Sequence, residues 1–290
     1  MSVARAAQQW HPAKYLAFER LRLRPALELL GRVPSLPAET SSASGGGGIR
    51  IADLGAGTGN MAPSFLYCSS ILRLPRWHTL TRRGCLLQRW PTAHVTFVDS
   101  SASMLERARA DHSANASLNA TQLNYQEATF ESFLPSEPLD LIFSNAALHW
   151  VSADLHKALL PKLFSFLKPG GVVAFQIPDT RAQPSHQLMV EAARQLGWHE
   201  DVASVRWVTC EQEPSFYYEI VRELLGDSVS DGLDMWSTTY AQIMEGENPV
   251  ADFTASTGLG PYIEALGGRG SPRGLAFEAK YRELIAQAVG

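Results

Sequence analysis

Ile49-Arg50-Ile51-Ala52-Asp53-Leu54-Gly55-Ala56-Gly57-Thr58-Gly59-Asn60 carries an apolar strand straight into three closely spaced glycines. Glycine lets backbone approach a ligand closely and takes up angles that a side chain forbids, so a strand, such a turn and a helix together form a nucleotide-cofactor layout. The spacing here is G-x-G-x-G behind an acid, Asp53. The dinucleotide fingerprint is instead G-x-G-x-x-G, and it seats a pyrophosphate on the helix N-terminus. A cofactor without phosphate suits this turn better. S-adenosylmethionine has an adenosine and an amino-acid tail, and Asp53 at the strand end is placed to meet the ammonium of that tail. The alternative is a tight strand-to-helix connection that holds no ligand.

A second element agrees with the first. His94-Val95-Thr96-Phe97-Val98-Asp99 reads as a short buried strand ending in a carboxylate, and a capped helix follows from Ser100. Asp99 at that tip is placed to accept both ribose hydroxyls, with a plain helix N-cap as the competing role. Further strands are expected at 122–126, 139–145 and 172–177, and a helix at 154–167 that stops at Lys168-Pro169-Gly170-Gly171. Near-continuous apolar strands separated by helices predict an α/β fold: a Rossmann-like, doubly wound, mostly parallel sheet covered on both faces. Such sheets bind ligands beyond the carboxyl ends of their strands, where Asp53, Asp99 and Asn145 fall.

Ahead of the first strand, Tyr15, Phe18, Leu21, Leu23, Leu27 and Leu30 suit amphipathic helices broken near Pro25, and Ser41 to Gly48 reads as a flexible connection. After Pro178 a helix at 187–196 precedes an aromatic-rich portion with Trp198, Trp207, Phe216, Tyr217 and Tyr218. A strand at 233–242 and further helices follow. The expected division is a helical cap and linker at 1–48, a cofactor-binding core at 49–180 and a substrate-facing helical and aromatic cover at 181–290. Residues 68–89 lengthen the core as an insertion.

With 290 residues and 45% hydrophobic content the chain is long enough for one sizeable core with a smaller cover. A net charge of −4 without a basic block argues against nucleic acid as a partner. Cys68, Cys85 and Cys210 are too far apart in sequence for a C-x-x-C metal pair and form no disulfide framework, so no metal and a reducing compartment are expected. No apolar run reaches the roughly 18 residues a membrane span needs. The expectation is a soluble, cytoplasmic monomer or weak dimer acting on a small molecule, with the triplets at Asn115 and Asn119 unmodified.

Several blocks carry a family resemblance. They are Trp10-His11-Pro12-Ala13-Lys14-Tyr15-Leu16-Ala17-Phe18, the run from Arg24 to Leu30, Asp53 to Asn60, Asp99-Ser100-Ser101 and Asn145-Ala146-Ala147-Leu148-His149-Trp150. Later ones are Gln176-Ile177-Pro178-Asp179, Pro184-Ser185-His186 and Trp236-Ser237-Thr238-Thr239-Tyr240. On these the chain resembles class I S-adenosylmethionine-dependent methyltransferases, and within them the trans-aconitate 2-methyltransferase family.

The resemblance implies a methyl ester formed on a small polycarboxylic acid, most directly trans-aconitate. Another free acid, such as a carrier-bound malonate or a terpenoid acid, and a catalytically silent relative are the alternatives. It also implies cofactor contacts from Gly55, Gly57 and Gly59 to the tail and sugar and from Ser100, Met104, Thr129 and Phe130 around the adenine, with Asn145 near the tail. Thr129 stands where the family has an acid. Substrate contacts are expected from Trp10, Tyr15, Arg24, His149 and His186, with Arg20, Arg22, His11, Lys14 and Arg181 as further cations. A last antiparallel strand of the family has no counterpart before Gly290, which predicts an open edge beside the strand near Trp236. A carboxylate is already ionised at neutral pH, so no catalytic acid or base is expected.

Overall fold

The computed structural model of the chain describes residues 19–37, 48–61, 86–205 and 212–289. Cys68, Cys85 and Cys210, with most of the expected insertion, lie outside them. The described residues fall into a sheet unit, 19–177 with 214–233, and a helical unit, 178–213 with 234–289.

Five parallel strands make the sheet: β1 Arg50–Leu54, β2 His94–Asp99, β3 Leu123–Glu127, β4 Leu139–Asn145 and β5 Leu167–Gln176, in the order β3-β2-β1-β4-β5. The chain builds outward from β1 through β2 to β3, then crosses back to β4. The order therefore reverses between β1 and β4, the place where doubly wound sheets hold ligands. Helices of this unit are α1 Glu19–Arg32, the single turn α2 Leu86–Arg89, α3 Ala102–Ser113 and α4 Ala153–Ser165. After α5 Pro184–Gln195 of the helical unit, α6 Pro214–Leu225 and the short α7 Val229–Gly232 rejoin it.

Alternation along the strands decides which face each residue serves. Ile51, Val95, Phe97, Leu141 and Phe143 pack with Leu23, Ala26, Leu27 and Leu30 of α1. Ala52, Leu54, Val98 and Ile142 pack on the other face with Leu159 and Leu163 of α4. Burial on both faces is why these strands read as continuous apolar runs. A fully buried leucine such as Leu30 contributes roughly 2 kcal/mol.

Three expectations are corrected. Helix α1 runs unbroken through Pro25: proline forfeits one helical hydrogen bond, and the apolar stripe buried on both sides of it outweighs that loss. Helix α4 ends at Ser165, and the Lys168-Pro169-Gly170-Gly171 run lies inside β5, where the register with β4 shifts. Gly170 there has φ 77°, and a Cβ on it would meet Pro37 Cγ at 2.7 Å, so only glycine fits. The expected strand at 233–242 does not form: residues 233–245 have no regular secondary structure and are mostly exposed.

The helical unit gathers α5, α8 Pro249–Ala255, α9 Gly260–Ala265 and α10 Pro272–Val289 around Met189, Tyr262, Phe277 and Tyr281. Tyr262 and Phe277 stack at 5.4 Å, and the Tyr281 hydroxyl donates to the Ser185 carbonyl at 2.9 Å. Phe216, Tyr217 and Tyr218 lie on α6, with the Tyr217 ring 5.9 Å from Phe175 of β5. No described helix is long and apolar enough to cross a membrane, and no metal-ligand cluster occurs among the described residues.

Candidate functional site

The glycine turn leaves β1 and is pinned to β2. Gly55 and Ala56 N–H groups donate to the Val98 carbonyl at 2.8 and 3.0 Å, and Gly59 N–H closes on Ala56 at 2.9 Å. A Cβ on Gly55 would strike Ala147 at 2.2 Å. Gly57 differs: its φ is 56°, yet no atom of the described residues lies within 4 Å of the position its Cβ would take. Backbone conformation requires glycine there, and the space beside it is open. That open side is where a ligand can reach main chain.

Asp99 fastens the turn to the next helix. Its Oδ2 accepts from Gly57 N–H at 2.8 Å and its Oδ1 from Ser101 N–H at 2.9 Å. Burial raises its pKa above the ordinary carboxylate value, while N–H groups of Ser101, Gly57 and Ser100 pull the other way. The helix cap is Ser101, whose hydroxyl accepts from Met104 N–H at 3.4 Å. Asp99 is thus relieved of capping, and each of its oxygens keeps acceptor capacity beyond these bonds. Met104 is buried below. Thr129 is exposed with its hydroxyl held by Ser132 in a local turn, and the adjacent Phe130 reaches the glycine turn, its Cζ 3.3 Å from where a Gly55 Cβ would sit.

The carboxyl ends of β1, β4 and β5 supply a third feature. Asp53 pairs in register with Phe143, and Asn145, two residues further on, pairs with Gln176. Residues two apart on a strand share a face, so Asp53, Asn145 and Gln176 all project from one side of the sheet. Asp53 Oδ2, Asn145 Oδ1 and Gln176 Oε1 are buried with no hydrogen-bond partner among the described residues. Leaving such an atom unmet costs about 1–3 kcal/mol.

Burial, reinforced by the charge of Asp99, pushes the Asp53 carboxyl up to about 7. Immediately after Asn145, Ala146 has φ 49°, a left-handed conformation that a side chain disfavours, and its N–H donates to the Gln176 carbonyl at 3.0 Å. A residue in a conformation that side chains disfavour thus follows directly on an acceptor that no described residue meets. Three acceptor oxygens fit an ammonium group. They repel the pyrophosphate of a dinucleotide.

Sequence gives Gln176 a place in the Gln176-Ile177-Pro178-Asp179 block but no site role. Its signal is its register with Asn145, visible only once β4 and β5 are paired. The substrate residues fare unevenly. Trp10 and Tyr15, with His11 and Lys14, lie outside the described residues. Arg24 pairs with Glu28 at 3.3 Å across one turn of α1. His149 is buried on the short helix Leu148–Trp150 after β4, its ring 4.8 Å from Trp150. His186 lies on α5 of the helical unit, where burial lowers its pKa to about 4 and Ser185 Oγ is 3.2 Å from Nδ1. Arg181 is bound to Asp179 at 2.7 Å and to Glu213. The structure therefore gathers Asp53, the three glycines, Asp99, Phe130 and Asn145 at one edge.

Comparison with known proteins agrees. Residues 83–171 match the family described as Methyltransferase domain. A trans-aconitate 2-methyltransferase of Streptomyces avermitilis is 35% identical over 98% of this chain and 90% of its own length. One from Streptomyces coelicolor is 36% identical over 97% of this chain and 80% of its own length. The protein of that name in Escherichia coli K12 is 33% identical over 89% of this chain and 82% of its own length. With this likeness running through nearly the whole chain, the chain belongs to the trans-aconitate 2-methyltransferase family.

Proposed function

We propose that the protein transfers a methyl group from S-adenosylmethionine to a carboxylate of a small polycarboxylic acid, trans-aconitate first among them, and forms a methyl ester. The observation that carries this reading is the trio of acceptor oxygens on Asp53, Asn145 and Gln176 that no described residue meets. Bound there, S-adenosylmethionine supplies an electrophilic methyl group on a sulfonium. Asp53, Asn145 and Gln176 would receive the ammonium of its tail, Gly55, Gly57 and Gly59 would bring backbone against tail and sugar, and Asp99 would take the ribose hydroxyls. Ser100, Met104, Thr129 and Phe130 would line the adenine.

No residue needs to remove a proton, because the acceptor carboxylate is ionised at neutral pH. What the chain contributes is alignment, which can supply roughly 7–11 kcal/mol, and exclusion of water from the attacking anion. The remaining carboxylates of the acceptor need donors, since dry and unpaired they would cost several kcal/mol each. Trp10, Tyr15, Arg24, His149 and His186 are the residues assigned to them. The enzyme works in the cytoplasm as a monomer or weak dimer, without nucleic acid or membrane.

The decisive experiment incubates the protein with methyl-labelled donor and a panel of acids, and looks for base-labile label. Label on trans-aconitate and none on monocarboxylates is the expected result. Tight donor binding with no transfer to any acid would overturn it in favour of a silent relative. In calorimetry, Asp99→Ala should weaken donor binding at least tenfold, about 1.4 kcal/mol; unchanged affinity would remove Asp99 from the site.

A further inference from the structure

Two loops at the carboxyl edge of the sheet are each tied down by a buried histidine that the reaction does not use. Behind the glycine turn, His112 of α3 places Nε2 3.0 Å from the Gly59 carbonyl and Nδ1 2.7 Å from the Tyr125 hydroxyl of β3. Behind the loop that follows β4, His156 of α4 places Nε2 3.0 Å from the Leu148 carbonyl and Nδ1 3.1 Å from the Tyr217 hydroxyl of α6. A carbonyl can only accept. In both rings Nε2 therefore carries the proton, Nδ1 accepts and the tyrosine donates. With both nitrogens committed in this way, neither ring is arranged to shuttle a proton.

The fit behind the glycine turn is close. A Cβ on Gly59 would lie 2.6 Å from His112 Cε1, so the glycine and the ring share one space, and Phe97 flanks the ring at 4.8 Å. Gly57 N–H is held by Asp99 and Gly59 C=O by His112, so the turn is gripped at both ends. The other ring holds the first carbonyl of the short helix that carries His149. Each histidine thus reaches its loop through a main-chain oxygen.

We propose that His112 with Tyr125, and His156 with Tyr217, are two separate positioning braces: the first sets the donor turn and the second sets the acceptor-side loop. Each governs affinity for a different substrate. This division rests on the methyl-transfer reading above, because it is that reading which makes one loop the donor's and the other the acceptor's. The bracing itself rests on the hydrogen bonds and does not depend on it.

Steady-state kinetics read the division. His112→Leu should raise KM for the donor at least fivefold and leave KM for the acceptor within twofold, and His156→Leu should do the reverse. Glutamine at either position, which can still donate to the carbonyl, should recover part of the loss. A rise of both KM values together in either leucine variant would overturn the division. If a leucine variant fails to fold, Tyr125→Phe and Tyr217→Phe keep the volume, remove the donor to Nδ1 and are read in the same way.

Amide exchange on the free protein reads the bracing without any substrate. His112→Leu should speed exchange in 55–59 and leave 146–150 unchanged, with the opposite result for His156→Leu. Nitrogen-15 spectra should place the proton of both rings on Nε2. Should the wild type bind no donor, the methyl-transfer reading and the division fail together, while exchange still decides the braces; uniform exchange changes, or a proton on Nδ1, would sink those.

Discussion

The two edges of one sheet treat a buried aspartate in opposite ways. At the amino edge Asp140, 2% exposed, accepts from Lys168 Nζ at 2.7 Å and from Arg50 N–H at 2.8 Å. At the carboxyl edge Asp53, 3% exposed, has an oxygen with no partner among the described residues, and so do Asn145 at Oδ1 and Gln176 at Oε1. Residue type and burial are the same. What differs is whether the fold supplies the counter-group or leaves the place for a ligand. A pair that closes on itself stabilises structure, whereas an unmet acceptor lowers stability and gains it back on binding.

The largest effect expected of this contrast is on the amino edge. Lys168→Met strands a buried carboxylate and should cost roughly 3 kcal/mol in denaturant unfolding, with donor affinity unchanged in calorimetry. A loss of donor affinity at native-like stability would erase the distinction between the edges. On the carboxyl edge, Asp53→Asn should weaken donor binding about a hundredfold, near 2.7 kcal/mol, while the free protein at pH 8 unfolds no more easily than wild type. Loss of stability in that variant would mean that Asp53 is structural after all.

The pH dependence follows from the raised carboxyl. Asp53 binds its proton more tightly in the folded chain, with a pKa of about 7, than in the unfolded chain near 3.8. Its contribution to stability is therefore greatest below pH 4 and falls as pH rises towards 7. An ammonium ligand needs the ionised form, so binding below pH 7 must expel a proton. Donor affinity should climb about tenfold from pH 6 upward and level off above pH 7, and Asp53→Asn should flatten that profile. A flat wild-type profile would detach Asp53 from the ligand.

The smallest effect concerns the strained residue of the same edge. Ala146→Gly relieves φ 49° and should change stability by no more than about 1 kcal/mol in either direction, since glycine also gains freedom in the unfolded chain. Donor and acceptor KM values then report whether the strain orients Asn145. Unaltered values would make the strain incidental to binding.

The helical unit sharpens the contrast from outside the sheet. Its charges close on one another at the surface: Arg273 with Asp201, Arg282 with Asp252 and Glu278, and Lys280 with Glu283. Such exposed pairs contribute little each. Arg181, read from sequence as a substrate cation, belongs to this kind of network with Asp179 and Glu213.

The strands were legible because burial on both faces leaves an unmistakable apolar run, and β2 and β4 have the bounds the pattern predicts. Pro25 and the Pro169-Gly170-Gly171 run misled because local propensity competes with packing, and a long apolar stripe or a paired edge overrides it. The segment near Trp236 has strand composition but takes no regular secondary structure.

By itself the sequence determined the glycine turn and the acid at the tip of the neighbouring strand. Gly55, Gly57 and Gly59 after an apolar strand, and Asp99 at the tip of the next, are local patterns whose backbone consequences follow from neighbouring residues alone. Tertiary structure alone decided which polar groups are left unmet. Gln176 joins Asp53 and Asn145 only because β5 lies in register beside β4, and His112 and His156 reach their carbonyls only because helices pack across the sheet. Register and packing join residues far apart in the chain, and no window along the sequence contains them.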